Sequence, residues 1–99
     1  MNSNEHVIMT SALQASDHSI DALTAYVDAM EELTELRRQL RGCEHCFNRF
    51  QSPASQRIME NKQEEVQDKF NEVEHLRQIW SERRQVTLAE IESARRKIS

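Results

Sequence analysis

The fold this sequence predicts is an all-α antiparallel hairpin of two long helices, and three observations predict it. The chain of 99 residues holds one glycine and one proline. Apolar residues recur at intervals of three and four in both halves, the heptad period of a coiled-coil seam. The lone proline stands near the midpoint, in Ser52-Pro53, and apolar residues equidistant from it match across the two halves.

Composition supports the first point. A chain nearly free of Gly and Pro cannot supply the turns of a sandwich, a barrel or an alternating α/β fold. The length allows one domain, residues 1–99, with a small core. Hydrophobic residues are 37% and charged residues 30%, with helix formers in surplus.

In the first half Met9, Leu13, Ser16, Ile20, Leu23, Val27 and Met30 form a stripe. The register then slips by one place and resumes as Leu33, Leu36, Leu40, Cys43, Phe47 and Phe50; such a slip alters supercoiling without ending a helix. Gly42 weakens the helix locally by roughly 1 kcal/mol relative to Ala. Helix 1 is thus expected over about residues 5–51. Pro53 disfavours a helical Ser52, so the turn falls at 52–53, and Ser52 as N-cap before Pro53 starts the next helix. Helix 2, about 54–98, carries Met59, Val66, Val73 and Trp80 at sevenfold spacing, joined by Phe70, Leu76, Ile91, Ala94 and Ile98. A break at Ser16-Asp17-His18-Ser19 would give three helices instead, as in spectrin-like packing.

Folding the chain at Pro53 pairs Phe47 with Met59, Leu40 with Val66, Leu36 with Phe70, Leu33 with Val73 and Met30 with Leu76. It also pairs Val27 with Ile79, Tyr26 with Trp80, Ile20 with Val86, Ala15 with Ile91, Ala12 with Ala94 and Ile8 with Ile98. Opposite charges fall beside one another at nearly the same fold point: Arg41 and Glu64, Arg37 and Asp68, Glu35 and Lys69, Asp28 and Arg77, Asp21 and Arg84. Such flanking pairs set orientation and register more than stability.

Two helices bury only one seam. Met9, Ile58, Trp80, Leu88 and parts of Tyr26 and Phe50 fall beside or outside it, and exposed apolar surface marks interfaces. The hairpin is therefore expected to form a homodimeric four-helix bundle or to lie against a different protein. Candidate partner-binding residues are Trp80, Tyr26, Leu88 and Ile58, since aromatic anchors dominate binding energies. Glu31 and Glu32 join them, acidic residues to which the hairpin assigns no basic partner. For Trp80 the plainer role is a wide core residue stacked on Tyr26.

Chemistry is sparse. Gly42-Cys43-Glu44-His45-Cys46 holds two cysteines three residues apart, half of a tetrahedral zinc site, with Cys43 and Cys46 as ligands only if a second chain completes it. A CxxC close to the apex of an antiparallel coiled coil resembles the zinc hook of Rad50-type DNA-repair ATPases, over about Gly42 to Pro53. The resemblance implies two apices joined through one shared zinc ion and a role in DNA maintenance. Glu44-His45 replaces that family's Pro-containing pair, and no Walker motif is present. The plainer role of Cys43 is a small apolar residue of the seam. No Ser/His/Asp set, Gly-rich phosphate loop or HExxH occurs, and the E-x-x-H of Glu72 to His75 occurs once, with His75 turned from the seam. An enzyme and a resident cofactor are not expected.

Net charge is −4, which gives no general attraction to nucleic acid or to an anionic membrane. No apolar run approaches a membrane span, Met1 to Thr10 lacks the features of a secretory signal, and two cysteines suit a reducing compartment. A cytoplasmic protein is expected, non-enzymatic, that binds other proteins through helix faces as a scaffold, adaptor or complex subunit. The alternatives are the zinc-joined tip and a small helical chaperone of a secretion apparatus. Metal content separates the zinc-joined tip from the others: it requires bound zinc by elemental analysis and a dimer mass that Cys43→Ser changes.

Overall fold

The structure, a computed structural model, describes the backbone of residues 3–98 and the side chains of residues 9–98 except that of residue 11. Two helices pack against each other as an all-α hairpin: α1, Ser3–Phe50, and α2, Pro53–Ile98. No helix break occurs at residues 16–19, so the three-helix alternative is not adopted. α1 also runs unbroken through Gly42, where an added Cβ would meet nothing within 4 Å.

The turn is shorter than a loop. Gln51 adopts a left-handed conformation, φ 47°, and its N–H donates to the Phe47 carbonyl at 2.7 Å, which closes the C-terminus of α1. Ser52 follows at once as N-cap of α2. The Ser55 N–H donates to Ser52 Oγ at 3.1 Å, and the Ser52 N–H donates back to Ser55 Oγ at 3.1 Å. This is the reciprocal capping box with serine in place of the usual Glu or Gln. Pro53 takes the first helical position, where its missing N–H costs nothing, and the Gln56 N–H reaches the Ser52 carbonyl at 3.0 Å.

The chain divides into two compact units, Met1–Tyr26 with Leu76–Ser99, and Val27–His75. In the second unit the residues of α1 turned inward are Ala29, Leu33, Leu36, Leu40, Cys43 and Phe47, and those of α2 are Ser55, Met59, Lys62, Val66, Lys69 and Val73. Both rows step by three and four. Lys62 and Lys69 lie within the α2 row with side chains 20% and 21% exposed. Their stems cover the seam while the ammonium groups reach out: Lys62 Nζ donates to Gln39 at 3.0 Å, and Lys69 Nζ to Glu32 at 2.6 Å.

In the first unit the inward row of α1 is Ala12, Ala15, Ser19, Ala22 and Tyr26. It is built of small side chains, with one exception. Facing it on α2 are Leu76, Trp80, Thr87, Glu90 and Ala94. Thr87, 7% exposed, places its hydroxyl 2.7 Å from the Ala15 carbonyl and 2.9 Å from the Arg83 carbonyl. A side-chain hydroxyl reaches the other helix's backbone only where the residue between, Ala15, is small.

Two expectations are corrected by this packing. First, Met9, Leu13, Ile20, Leu23 and Val27 are not the seam; all are exposed. For Leu13, Ile20, Leu23 and Val27 the inward row lies one position before, at Ala12, Ser19, Ala22 and Tyr26, with the same period. There the alanines allow close approach and leave room for Trp80, so no register slip is needed. Phe50, Phe70, Ile91 and Ile98 are likewise exposed, although Leu33, Leu36, Leu40, Cys43, Phe47, Met59, Val66, Val73, Leu76 and Ala94 do turn inward. Second, Ala15 lies opposite Thr87 and not Ile91. The fold point is Gln51 and not Pro53, and a centre two residues earlier moves every facing residue of α2 by about one helical turn. Glu35 consequently does not meet Lys69, which takes Glu32. Tyr26 and Trp80 still touch, because their long side chains span the difference. The Ile8 side chain lies outside those described, so the Ile8–Ile98 pair cannot be placed.

The turn generates a stability prediction. Gln51→Gly removes the left-handed strain and is expected to raise unfolding free energy by up to about 1 kcal/mol. Gly42→Ala is expected to raise it by about 0.5–1 kcal/mol, whereas Ser52→Ala lowers it by about 1 kcal/mol. Urea denaturation reads all three. A Gln51→Gly variant less stable than the parent would contradict the cap as described.

Candidate functional site

The apolar row displaced from the seam is the principal unassigned surface of the first unit. On α1, Met9, Leu13, Ile20 and Leu23 repeat at helical spacing and stay exposed, Leu13 at 65% and Ile20 at 57%. On α2, Leu88, Ile91 and Ile98 are exposed, Leu88 at 56%. The two sets lie on one flank. Tyr26 and Trp80 mark it, stacked with ring centroids 5.9 Å apart and planes 7° from parallel. Leu23 stands one turn from Tyr26 along α1. Arg84, one turn from Trp80 along α2, lays its guanidinium 5.7 Å from the Trp80 ring centre. Ile91 and Ile98 continue the line of Arg84 at sevenfold spacing.

The opposite flank of the same unit is mixed in character. Gln14, His18, Glu82, Arg83 and Val86 line an open groove there, and Arg83 donates to the His18 carbonyl at 3.4 Å. Val86 is the one large apolar side chain of that groove.

The sequence-predicted residues divide among these surroundings. Trp80 and Tyr26 are half-buried and occupied with one another and with Arg84. Leu88 is exposed on the apolar flank. Ile58, also exposed, belongs to the second unit and lines an apolar groove with Gln39, Gly42, Cys43, Cys46 and Ser55. Glu31 is exposed. Glu32 is not the unpartnered acid expected: it binds Lys69. Lys69 also binds Glu72 at 2.7 Å, and these two carboxylates, Glu32 foremost, raise the affinity of the lysine for its proton.

Cys43 and Cys46 are free thiols on successive turns of continuous helix, the first half-buried in the seam and the second exposed. Among the described residues no three His, Cys, Asp or Glu side chains gather as a metal site. A single chain thus presents two thiolates at most, and tetrahedral zinc takes four ligands. His75 is exposed beside buried Val73.

Sequence reasoning missed the row Leu13, Ile20 and Leu23 as a surface because its period is that of a seam. The signal that could have found it is the equally periodic row of alanines one residue earlier. Comparison with family models, with curated proteins and with solved structures finds no match. No described helix is long and apolar enough to cross a membrane.

On the polar surface Glu35 accepts from Arg38 Nε at 2.9 Å and from Gln39 at 3.2 Å. The Arg38 bonds, with help from Gln39, hold its carboxyl at about 2 against an ordinary 4.5. A folded-state value below the unfolded one contributes stability that is complete above about pH 4.5 and is lost as pH falls toward 2. Both side chains are at least half exposed, so the effect is small. Glu35→Gln is expected to flatten the acid limb of the stability–pH curve in that interval and leave neutral pH little changed. A carboxyl titrating near 4.5 by NMR would refute the pairing.

Proposed function

We propose that this chain is a non-enzymatic protein–protein interaction module. It is a coiled-coil hairpin of the cytoplasm that serves as an adaptor, scaffold or complex subunit and binds through the outer faces of its helices. The observation that carries this reading is the exposed row Met9, Leu13, Ile20 and Leu23 beside Leu88 and Ile91. Contiguous apolar surface of this kind on a chain of mean hydropathy −0.79 is characteristic of binding sites. The flank also has the anatomy of an interface, with aromatic rings and an arginine at its edge and aliphatic side chains along it. The seam supports the same view, since lysines at Lys62 and Lys69 fix pairing geometry at some cost in stability. Two free thiols suit a reducing compartment.

Affinity capture with the full chain tests the module. The parent protein is expected to retain a stoichiometric protein, a second copy or another chain, that a Leu13→Glu/Ile20→Glu variant loses. Both positions are exposed, so helicity by circular dichroism should be the same in the two. Equal retention by parent and variant, or by neither, would refute a role for this flank.

A further inference from the structure

We propose that Cys43 and Cys46 form a single-chain site for one soft monovalent metal ion of the Cu(I) class, held in line between two thiolates. The site lies within the second unit and is independent of the interaction-module reading. Its basis is a groove whose other polar side chains already have partners.

Cys43 and Cys46 stand three residues apart in α1, which runs unbroken through both. Residues at that spacing share a helix face, with Cβ atoms roughly 5–6 Å apart. Both line one groove with Gln39, Gly42, Ser55 and Ile58, so the two thiols open onto the same space. Gln39 is taken up there by Glu35 and Lys62, and Ser55 by Ser52. Gly42 and Ile58 contribute no polar side-chain atom. The groove therefore offers a ligand its two sulfurs and little else.

That donor set selects the guest. Zinc takes four ligands and hard cations take more, chiefly oxygens, whereas among the described residues no third His, Cys, Asp or Glu joins the pair. His45 stands between the cysteines in sequence but on another side of the helix, since residues one and two apart do not face each other. Thiolates favour soft ions, and a monovalent one is satisfied by two. Sulfurs on either side of such an ion stand about 4–5 Å apart, twice a metal–thiolate bond. Side chains at this spacing reach that separation. A disulfide is the poorer use of the pair, because its Cβ atoms must close to about 3.5–4.5 Å and the helix would have to bend.

Binding replaces two S–H bonds by two metal–sulfur bonds. Both thiol protons leave to solvent, no electron is transferred, and the bound group carries one net negative charge. Cys46 is exposed and Cys43 half-buried, so the ion meets the outer thiol first and the inner one completes the pair from the seam side.

Titration of the full, reduced chain under nitrogen with Cu(I), supplied as its coloured bicinchoninate complex, is the test. The parent protein is expected to withdraw one ion per chain. Cys43→Ser and Cys46→Ser each weaken binding by about a hundredfold or more, the loss that follows removal of one of two linked ligands. The control is His45→Cys/Cys46→Ser, which keeps two thiols but takes them off a common face; it is expected to bind as weakly as the single variants. Circular dichroism checks that helicity is equal in all four proteins. One ion shared by two chains, a control as tight as the parent, or a parent no tighter than Cys46→Ser overturns the proposal. None of these outcomes bears on capture through Leu13 and Ile20, so the interaction module stands or falls separately.

Discussion

The two-residue turn at Gln51 and Ser52 is the constraint on which the rest depends. A left-handed Gln51 ends α1, and a doubly bonded Ser52 begins α2 with nothing between them. Because the helices leave that point without slack, the residue of α2 that faces any residue of α1 is determined. The same offset is read in each unit: from Lys69 on Glu32 and Lys62 on Gln39 in one, and from Thr87 on Ala15 and Arg83 on His18 in the other. A longer or looser loop would have let apolar residues find the pairing with the most grease in it. This turn fixes a pairing in which lysine stems, a threonine hydroxyl and alanines occupy seam positions.

Architecture was therefore easier to read than register. The scarcity of Gly and Pro, the three-and-four spacing and the Ser52-Pro53 signal lead to two helices and one turn, and that is the structure. What periodicity cannot do is tell two adjacent rows of the same period apart. Leu13, Ile20 and Leu23 have the larger side chains, and hydrophobicity alone places them inside. Packing prefers Ala12, Ala15, Ala22 and Ala29, since close backbone approach and space for Trp80 need small neighbours. The pairing offset was hidden for a related reason. It turns on the backbone conformation of Gln51, a residue whose type gives no hint of a left-handed φ.

The candidate site was legible in outline. Leu88 was recognisable as lying outside the seam, and Trp80 with Tyr26 as a stacked pair. The greater part of the flank, on α1, was invisible while it was taken for core. Glu32 shows the opposite error, an acid supposed free for a partner that serves Lys69 within the hairpin. In both cases the local sequence was read correctly, and the neighbour supplied from the other helix decided the outcome.

The displacement of the two rows by a single residue has a consequence for how such a sequence can change. One extra codon between Tyr26 and the turn would rotate the preceding part of α1 by about 100°. That rotation would carry Leu13, Ile20 and Leu23 into the positions held by Ala12, Ser19 and Ala22. The hairpin would trade a slim, alanine-lined contact for a bulky one and surrender its sticky flank in a single step. A gene of this design is thus unusually sensitive to small insertions in a region where ordinary point substitutions on the solvent side would pass almost unnoticed.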